Sequence, residues 1–209
     1  TQSDAVSVRV SCPENLVDML NVTVKDATLY AGFKPNTMID GNCAVTIFVS
    51  SPVMKSIEAS SSSRFEMTGS LVQDCALSID ASSSANVNLY KLSVSGVDIE
   101  SSSSSSVDIS GVNAVSLDID CSMSGRVSVS EIRALNVEAE ASSAATITLS
   151  GVARTAEYDA SSAATINAKG LRVETVESAS ASSAATVRCT ANTCKNITEK
   201  SSGSVTCNK

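Results

Sequence analysis

Histidine and tryptophan are absent from this 209-residue chain, and aromatic residues make up only 3% of it. Without histidine the commonest general base is missing, and neither a Ser-His-Asp nor a Cys-His nucleophile can be assembled. The seven cysteines include no CxxC pair, which argues against a zinc site. We therefore predict that the chain is not an enzyme and holds no cofactor or metal ion.

Positive charge and long apolar runs are also scarce. The chain has 15 basic and 22 acidic residues, a formal charge of −7, and no basic run, which argues against nucleic acid as a partner. No stretch approaches the roughly eighteen apolar residues of a membrane span. Because Ser/Thr-rich coils are common in secreted bacterial proteins, we predict export to the periplasm or cell surface. The export signal, and with it a lipid-bearing cysteine as an anchor, would then have been removed before Thr1.

What the sequence has in abundance is a short serine-rich motif that recurs about every twenty residues. Segment 81–87, ASSSANV, is one copy, and the residue before each serine pair marks the start of a copy. The intervals between markers are 22, 20, 20, 20, 19, 21 and 19 residues. A fixed period of this size predicts a solenoid, in which each unit buries its apolar face against its neighbours. The markers are Ala59, Ala81, Ser101, Cys121, Ala141, Ala160, Ala181 and Lys200.

Apolar and polar residues alternate inside each period, which predicts strands and excludes helices. A third apolar stretch, such as 132–135, completes a coil of three short strands. Glycine recurs at one corner as Gly111, Gly151 and Gly170, where Lys91 and Glu131 occupy the equivalent places, so we expect a positive φ there. The inward residues are Leu77, Ile79, Val87, Leu89, Val97, Ile99, Val107, Ile109, Leu117, Ile119, Val127, Val129, Val137, Ala139, Ile147, Leu149, Ile166, Ala168, Val187 and Cys189.

These patterns predict an all-β protein, a right-handed parallel β-helix of about eight coils over residues 57–209. Residues 1–56 lack the period, and we interpret them as an irregular β cap over one open end of the same continuous domain. Segment 40–42, Asp-Gly-Asn, is turn chemistry within that cap. The alternative, a β-sandwich of hairpins, would need turn pairs such as Asn-Gly between the strands.

Acidic residues recur at outward positions of the first strand of each coil. These residues form two columns, and neighbours within a column are about 5 Å apart because they lie on successive coils. At that distance two like charges repel by roughly 0.8 kcal/mol in water. One interpretation is a solvated face that keeps the rods soluble and apart. The other is a surface for a basic partner or for weakly bound calcium, because carboxylates are hard-oxygen ligands. The first column is Glu58, Asp80, Glu100, Asp120, Glu140 and Asp159, and the second is Asp98, Asp118, Glu138 and Glu157.

The repeated serines and the cysteines are best explained by structural roles. Equivalent serines in successive coils are not a unique nucleophile, and we expect their hydroxyls to bond to each other and to backbone at the bends. Cys121 and Cys189 occupy places typical of small buried thiols. A disulfide between Cys189 and Cys194, or one between Cys189 and Cys207 of the next coil, remains open.

Three segments followed by the repeated bends resemble the bacterial "head GIN" domain family. They are 26–30 (DATLY), 45–52 (VTIFVSSP) and 56–61 (SIEASS), and the resemblance extends over most of the chain. Members are described as auto-transporter adhesins of unknown biochemical function. The resemblance implies an exported, envelope-associated β-helical domain and supplies no catalytic residues.

Three functions follow as alternatives. The first is a non-catalytic envelope or surface module that adheres to a protein or glycan. The second, a polysaccharide lyase or hydrolase, rests on fold analogy and would need clustered Asp with Lys or Arg, whereas the basic residues here are scattered. The third is an ordered-water or ice-binding face, prompted by the single column Thr146, Thr165 and Thr186. We favour the first. The partner's identity and the oligomeric state stay open.

Overall fold

A computed structural model of the chain describes residues 1–38 and 44–209. The described chain forms two compact units, Gln2–Pro52 and Val53–Lys209, and Thr1 belongs with the second. The turn predicted at 40–42 and Cys43 lie outside the described residues. The interpretation of the first segment as a cap within one continuous domain stays a prediction.

The first unit consists of two antiparallel strand pairs and one short helix. Strand β1 (Ser7–Ser11) pairs with β4 (Thr46–Ser50), and β2 (Leu20–Lys25) pairs with β3 (Thr28–Phe33) through a turn whose two central residues both have positive φ. A 3-10 helix, Glu14–Met19, lies between β1 and β2. Among the described apolar residues of this unit only Leu16 is buried, so little hydrophobic burial stabilises it.

The second unit is a stack of parallel strands, as the serine period predicted. Every strand pair in this unit is parallel. From β11 to β14 each strand continues through a corner, so that one strand supplies sides of two successive coils. The strands are β5 (Ser56–Ala59), β6 (Arg64–Glu66), β7 (Leu71–Val72), β8 (Leu77–Ala81), β9 (Asn86–Ser93), β10 (Gly96–Ser101), β11 (Ser106–Cys121), β12 (Arg126–Ala141), β13 (Thr146–Ala160), β14 (Thr165–Ser182), β15 (Thr186–Cys194), β16 (Ile197–Lys200) and β17 (Ser204–Asn208).

Eight coils stack in the predicted register, which confirms the parallel β-helix. The marker residues from Ala59 to Ala181 are direct neighbours from coil to coil. In the last coil the predicted marker is displaced by one residue, because Ala181 is paired with Glu199 while Lys200 is paired with Ser182. The prediction of Lys200 as the final marker is therefore wrong. Glu199 is the equivalent residue, and the bend has the same place relative to the strand as in the other coils, because Ser201 and Ser202 have the positive φ values.

The predicted inward residues form the core, and all of them are buried. One column of that core shows how side-chain volumes are matched between coils. Ile119 is followed by Ala139, Tyr158 and Ala179 at the same position in successive coils. The ring of Tyr158, 2% exposed, thus lies between two alanines. A large residue between two small ones matches the volumes of adjacent coils, as a close-packed interior requires.

The serine-rich bends are tight turns in which two consecutive non-glycine residues have positive φ. In the fifth coil these residues are Ser143 (φ 52°) and Ala144 (φ 61°), and the N–H of Ala145 donates to the carbonyl of Ser142. This is the type I′ geometry. The N–H of Ala144 also donates to the carbonyl of Ser162 in the next coil, at 3.0 Å, and equivalent bonds link all eight turns.

The turns are therefore held together by backbone amides, contrary to the expectation that serine hydroxyls would do so. Among the turn residues that the structure describes, hydroxyl bonds occur only at Ser101 and Ser105. Ser101 Oγ lies 2.9 Å from Ser105 Oγ, which donates to the carbonyl of Ala81 at 2.7 Å. Both serines are buried, so this pair satisfies polar groups inside the core.

The expectation for the glycine corner is confirmed in part. Gly111 (φ 93°), Gly151 (φ 135°), Lys91 (φ 49°) and Glu131 (φ 53°) have positive φ. Gly170 does not, and the prediction was wrong there. A Cβ at Gly170 would lie 2.9 Å from Cβ of Ser150, so close approach of the preceding coil explains that glycine.

A disulfide joins Cys194 of β15 to Cys207 of β17. Neither of the two pairings left open by the sequence is present, because Cys189 is a free, buried thiol. It is nevertheless the direct neighbour of Cys207 in the parallel register. Cys121 is also free and buried, as predicted, and burial raises the pKa of each of these two thiols to about 11.

Candidate functional site

The first strands of successive coils bring the predicted carboxylates into two parallel columns. Neighbours in register run from Glu58 to Asp159 in the first column and from Asp98 to Glu157 in the second. Alternation places all ten side chains outward, and all ten residues are exposed. We call this surface the acidic face. It contains every residue predicted as a partner or cation site, namely Asp80, Glu100, Asp120, Glu140, Asp159, Asp98, Asp118 and Glu138.

The acidic face is not neutralised by basic side chains of the chain itself. Within the described residues, the lysine and arginine ion pairs are Arg64 with Glu66 and Lys195 with Glu177, and none involves the ten carboxylates. The ten carry a charge of −10 while the whole chain carries −7, so the remaining residues together carry +3. The excess negative charge of the protein is thus concentrated on one side of the solenoid.

The carboxylates are close enough to influence each other's protonation at the centre of the face. Partial burial, followed by the charges of Asp118, Glu140 and Glu157, raises the pKa of Glu138 above its ordinary value. A carboxylate surrounded by others is harder to ionise, because each neighbour adds repulsion to the charged form. A cation or a basic side chain placed here would relieve that repulsion.

The acidic face ends in a shallow open depression of about 140 Å³. Carboxylates of two coils, including Glu138 and Asp159, form one side of it, and Ser178 and Ser180 of the following coil form the other. Serine is shorter than glutamate or aspartate, so the surface drops where the acidic columns stop. Ser178 Oγ donates to Oε2 of Glu157 at 3.1 Å across this boundary.

The described residues include no group of three or more His, Cys, Asp or Glu side chains gathered closely enough to hold a metal ion. The carboxylates project side by side from a flat sheet and do not converge on one point. Within residues 1–38 and 44–209, none of these carboxylates forms an ion pair with Arg64, Arg126, Arg154 or Arg172. The four arginines and the acidic face therefore do not form the cluster of acidic and basic side chains that a polysaccharide-cleaving enzyme needs.

A second polar depression, also about 140 Å³, lies on the face formed by the second strands. Its outward residues come from three coils, in the columns Asn88, Asp108, Ser128 and Tyr90, Ser110, Ser130. Tyr90 is 45% exposed. Sequence reasoning missed this place. The available signal was an aromatic residue at an outward strand position of a chain that has only three tyrosines.

The threonine column predicted on the same face is confirmed as a column. Thr146, Thr165 and Thr186 are direct neighbours in register. Arg126 precedes them and Ser204 follows them at the same position. The ladder is therefore three residues long.

Fold and surface together define a class of protein, a parallel β-solenoid of short serine-rich repeats with one strongly acidic face. The family model described as "Putative auto-transporter adhesin, head GIN domain" matches residues 1–127 and 97–208. The two matches cover nearly the whole chain and overlap by about one and a half coils. The chain belongs to this family, which confirms the resemblance found in the sequence.

Comparison with solved structures supports the same fold. A crystal structure of a putative adhesin from Bacteroides fragilis NCTC 9343 is similar with a TM-score of 0.72 over 99% of this chain and 85% of that chain, at 18% sequence identity. No curated protein matches the chain. In the described part of the chain, none of the helices has the length and apolarity required to cross a membrane.

Proposed function

We propose that this protein is a non-catalytic, exported module of the cell envelope or cell surface that adheres to a partner through its acidic face. The observation that carries the proposal is the concentration of ten exposed carboxylates on one side of the solenoid, none of them in an ion pair within the described residues. The family's description as an auto-transporter adhesin supports a binding role at the surface. Export and lipid anchoring through a removed N-terminal segment belong to the same proposal.

The chemistry of the face specifies a partner that carries positive charge. A basic protein segment, or an amine-bearing envelope glycan, gains attraction from several carboxylates at once and relieves their mutual repulsion. Calcium would be bound only weakly, with a dissociation constant of about 1 mM or more, because open carboxylates without converging carbonyl ligands make a poor calcium site. Binding should weaken as salt screens exposed charges.

Binding to immobilised deca-lysine, measured by biolayer interferometry at low and at high salt, tests the proposal. One variant neutralises the second column and a control removes the same charge elsewhere. The column variant should lose most of the binding and most of its salt dependence, while the control keeps both. Equal losses would show that binding follows net charge and would refute a specific face. The column variant carries Asp98→Asn, Asp118→Asn, Glu138→Gln and Glu157→Gln, and the control carries Asp18→Asn, Asp74→Asn, Glu131→Gln and Glu174→Gln.

A further inference from the structure

The depression on the second-strand face has the composition of a saccharide subsite. Its outward side chains are one exposed tyrosine, one aspartate, one asparagine and three serines, from three adjacent coils. Successive coils are about 4.8 Å apart, and outward neighbours along one strand are about 6.6 Å apart. Six polar or aromatic groups therefore lie within an area comparable to a single sugar ring and its substituents.

The polar groups of this depression are held in place by neighbours but retain free hydrogen-bonding capacity. Asn88 Nδ2 donates to Oδ1 of Asn86 at 2.9 Å, which leaves the carbonyl oxygen of Asn88 available. Ser106 Oγ donates to Oδ2 of Asp108 at 3.2 Å, which leaves Oδ1 available. Side chains positioned before the ligand arrives lose less entropy on binding.

The serine hydroxyls add groups that both donate and accept. Ser110, Ser128 and Ser130 make no side-chain hydrogen bond to any other described residue. Their short side chains next to Tyr90 produce the drop in the surface. The ring of Tyr90 is therefore accessible at the edge of a polar floor.

We propose that Tyr90, Asn88, Asp108 and the three serines bind one residue of a neutral glycan. A sugar ring presents an apolar C–H face and a rim of hydroxyls, which match an exposed aromatic ring beside closely spaced donors and acceptors. A peptide would need an apolar pocket for its anchoring side chain, and the outward residues beside Tyr90 are polar. The carboxylate of Asp108 and the charge of −7 disfavour an anionic sugar. This inference rests on the proposed binding role but concerns a different face.

The depression is open and holds about 140 Å³, so it contacts one side of a sugar residue and leaves the rest in solvent. Affinity for a single residue is consequently low, near a dissociation constant of about 1 mM. A polymer that lies along the solenoid gains from further contacts on the same face.

Titration of isotopically labelled protein with neutral hexasaccharides of glucose, mannose, galactose and N-acetylglucosamine, followed by NMR, tests the proposal. At least one should shift the Tyr90 ring signals and the amide signals of residues 88–90, 108–110 and 128–130. Tyr90→Ala should weaken binding at least about fivefold. Tyr90→Phe should retain it within about twofold, because the ring and not the hydroxyl makes the main contact. Tyr30→Ala removes an exposed tyrosine of the first unit and should change nothing.

The proposal is overturned if none of the four hexasaccharides shifts these signals, or if the shifts persist unchanged in Tyr90→Ala. Titration of the same samples with deca-lysine keeps the two hypotheses apart. Deca-lysine should shift amide signals of the acidic face in the Tyr90→Ala protein as it does in the original protein. If none of the saccharides binds the original protein while deca-lysine still does, the glycan subsite alone is contradicted.

Discussion

At the residue scale, the turns have an unfavourable backbone geometry. Each of the eight bends places two residues other than glycine in the left-handed region. That conformation costs an L-residue roughly 1–2 kcal/mol. Backbone N–H groups of these turns donate hydrogen bonds to carbonyls in the turn of the next coil, and these hydrogen bonds offset the cost. Serine and alanine are tolerated because their small side chains point to solvent and leave the backbone ladder unobstructed.

Replacing one of these turn residues by glycine should stabilise the protein. Ala144→Gly relieves the strain of the left-handed conformation, while glycine loses more conformational entropy on folding than alanine does. The free energy of unfolding should therefore increase by up to about 1 kcal/mol. Melting temperature, followed by circular dichroism, should rise by roughly 2–4 °C per kcal/mol for a chain of this size.

The adjacent residue supplies a matched control. Ala145 has ordinary φ and is 1% exposed, so Ala145→Gly removes a buried methyl group and adds backbone freedom. It should lower the melting temperature by an amount equivalent to about 1 kcal/mol or more. If the two substitutions shift the melting temperature in the same direction, the proposed turn strain is not significant.

At the scale of elements, strand positions could be predicted from the sequence and the connections between them could not. Period-2 alternation determines which side chains are inward, and Ile119 and Val127 are buried as expected. The turn type depends on hydrogen bonds between coils that no local pattern of serines encodes. Gly170 illustrates the same limit, because its close approach to Ser150 depends on the shift in register between neighbouring strands.

The functional surfaces were predictable to the extent that they repeat. The acidic columns follow from the period, since residues one period apart become direct neighbours. The saccharide subsite has no repeat, because Tyr90 occurs once and is aligned with the small residues Ser110 and Ser130. A depression produced by a difference in side-chain size between coils becomes visible only when the register is known.

The disulfide between Cys194 and Cys207 offers a test of the strand register at the C-terminal end of the solenoid. Cys194→Ser frees Cys207 beside Cys189, whose Cα should lie about 4.8 Å away, within the range for a disulfide. We expect a new Cys189–Cys207 bond on oxidative refolding, detected by peptide mapping with mass spectrometry. Cys207→Ser leaves no partner in this register and should lose roughly 3 kcal/mol of stability. Free thiols at both positions in oxidised Cys194→Ser would contradict the register.

At the scale of the whole molecule, charge is distributed unequally around the solenoid. Residues outside the acidic face sum to +3, while the face itself carries −10. Partial burial, followed by repulsion from neighbouring carboxylates, raises the pKa of Glu138, so keeping this residue ionised opposes folding. A surface that lowers stability in isolation is consistent with a surface that is completed by a positively charged partner.

The most direct test of this interpretation is the melting temperature of the protein with Asp118→Asn and Asp120→Asn, at low ionic strength, with and without millimolar calcium. Removing two charges from the middle of the acidic face should raise the melting temperature without calcium. Calcium should raise that of the original protein more than that of the variant. A second variant, Asp74→Asn with Glu131→Gln, loses the same charge away from the face and should behave like the original protein. Melting temperatures that respond neither to the substitutions on the face nor to calcium would contradict an electrostatically coupled binding surface.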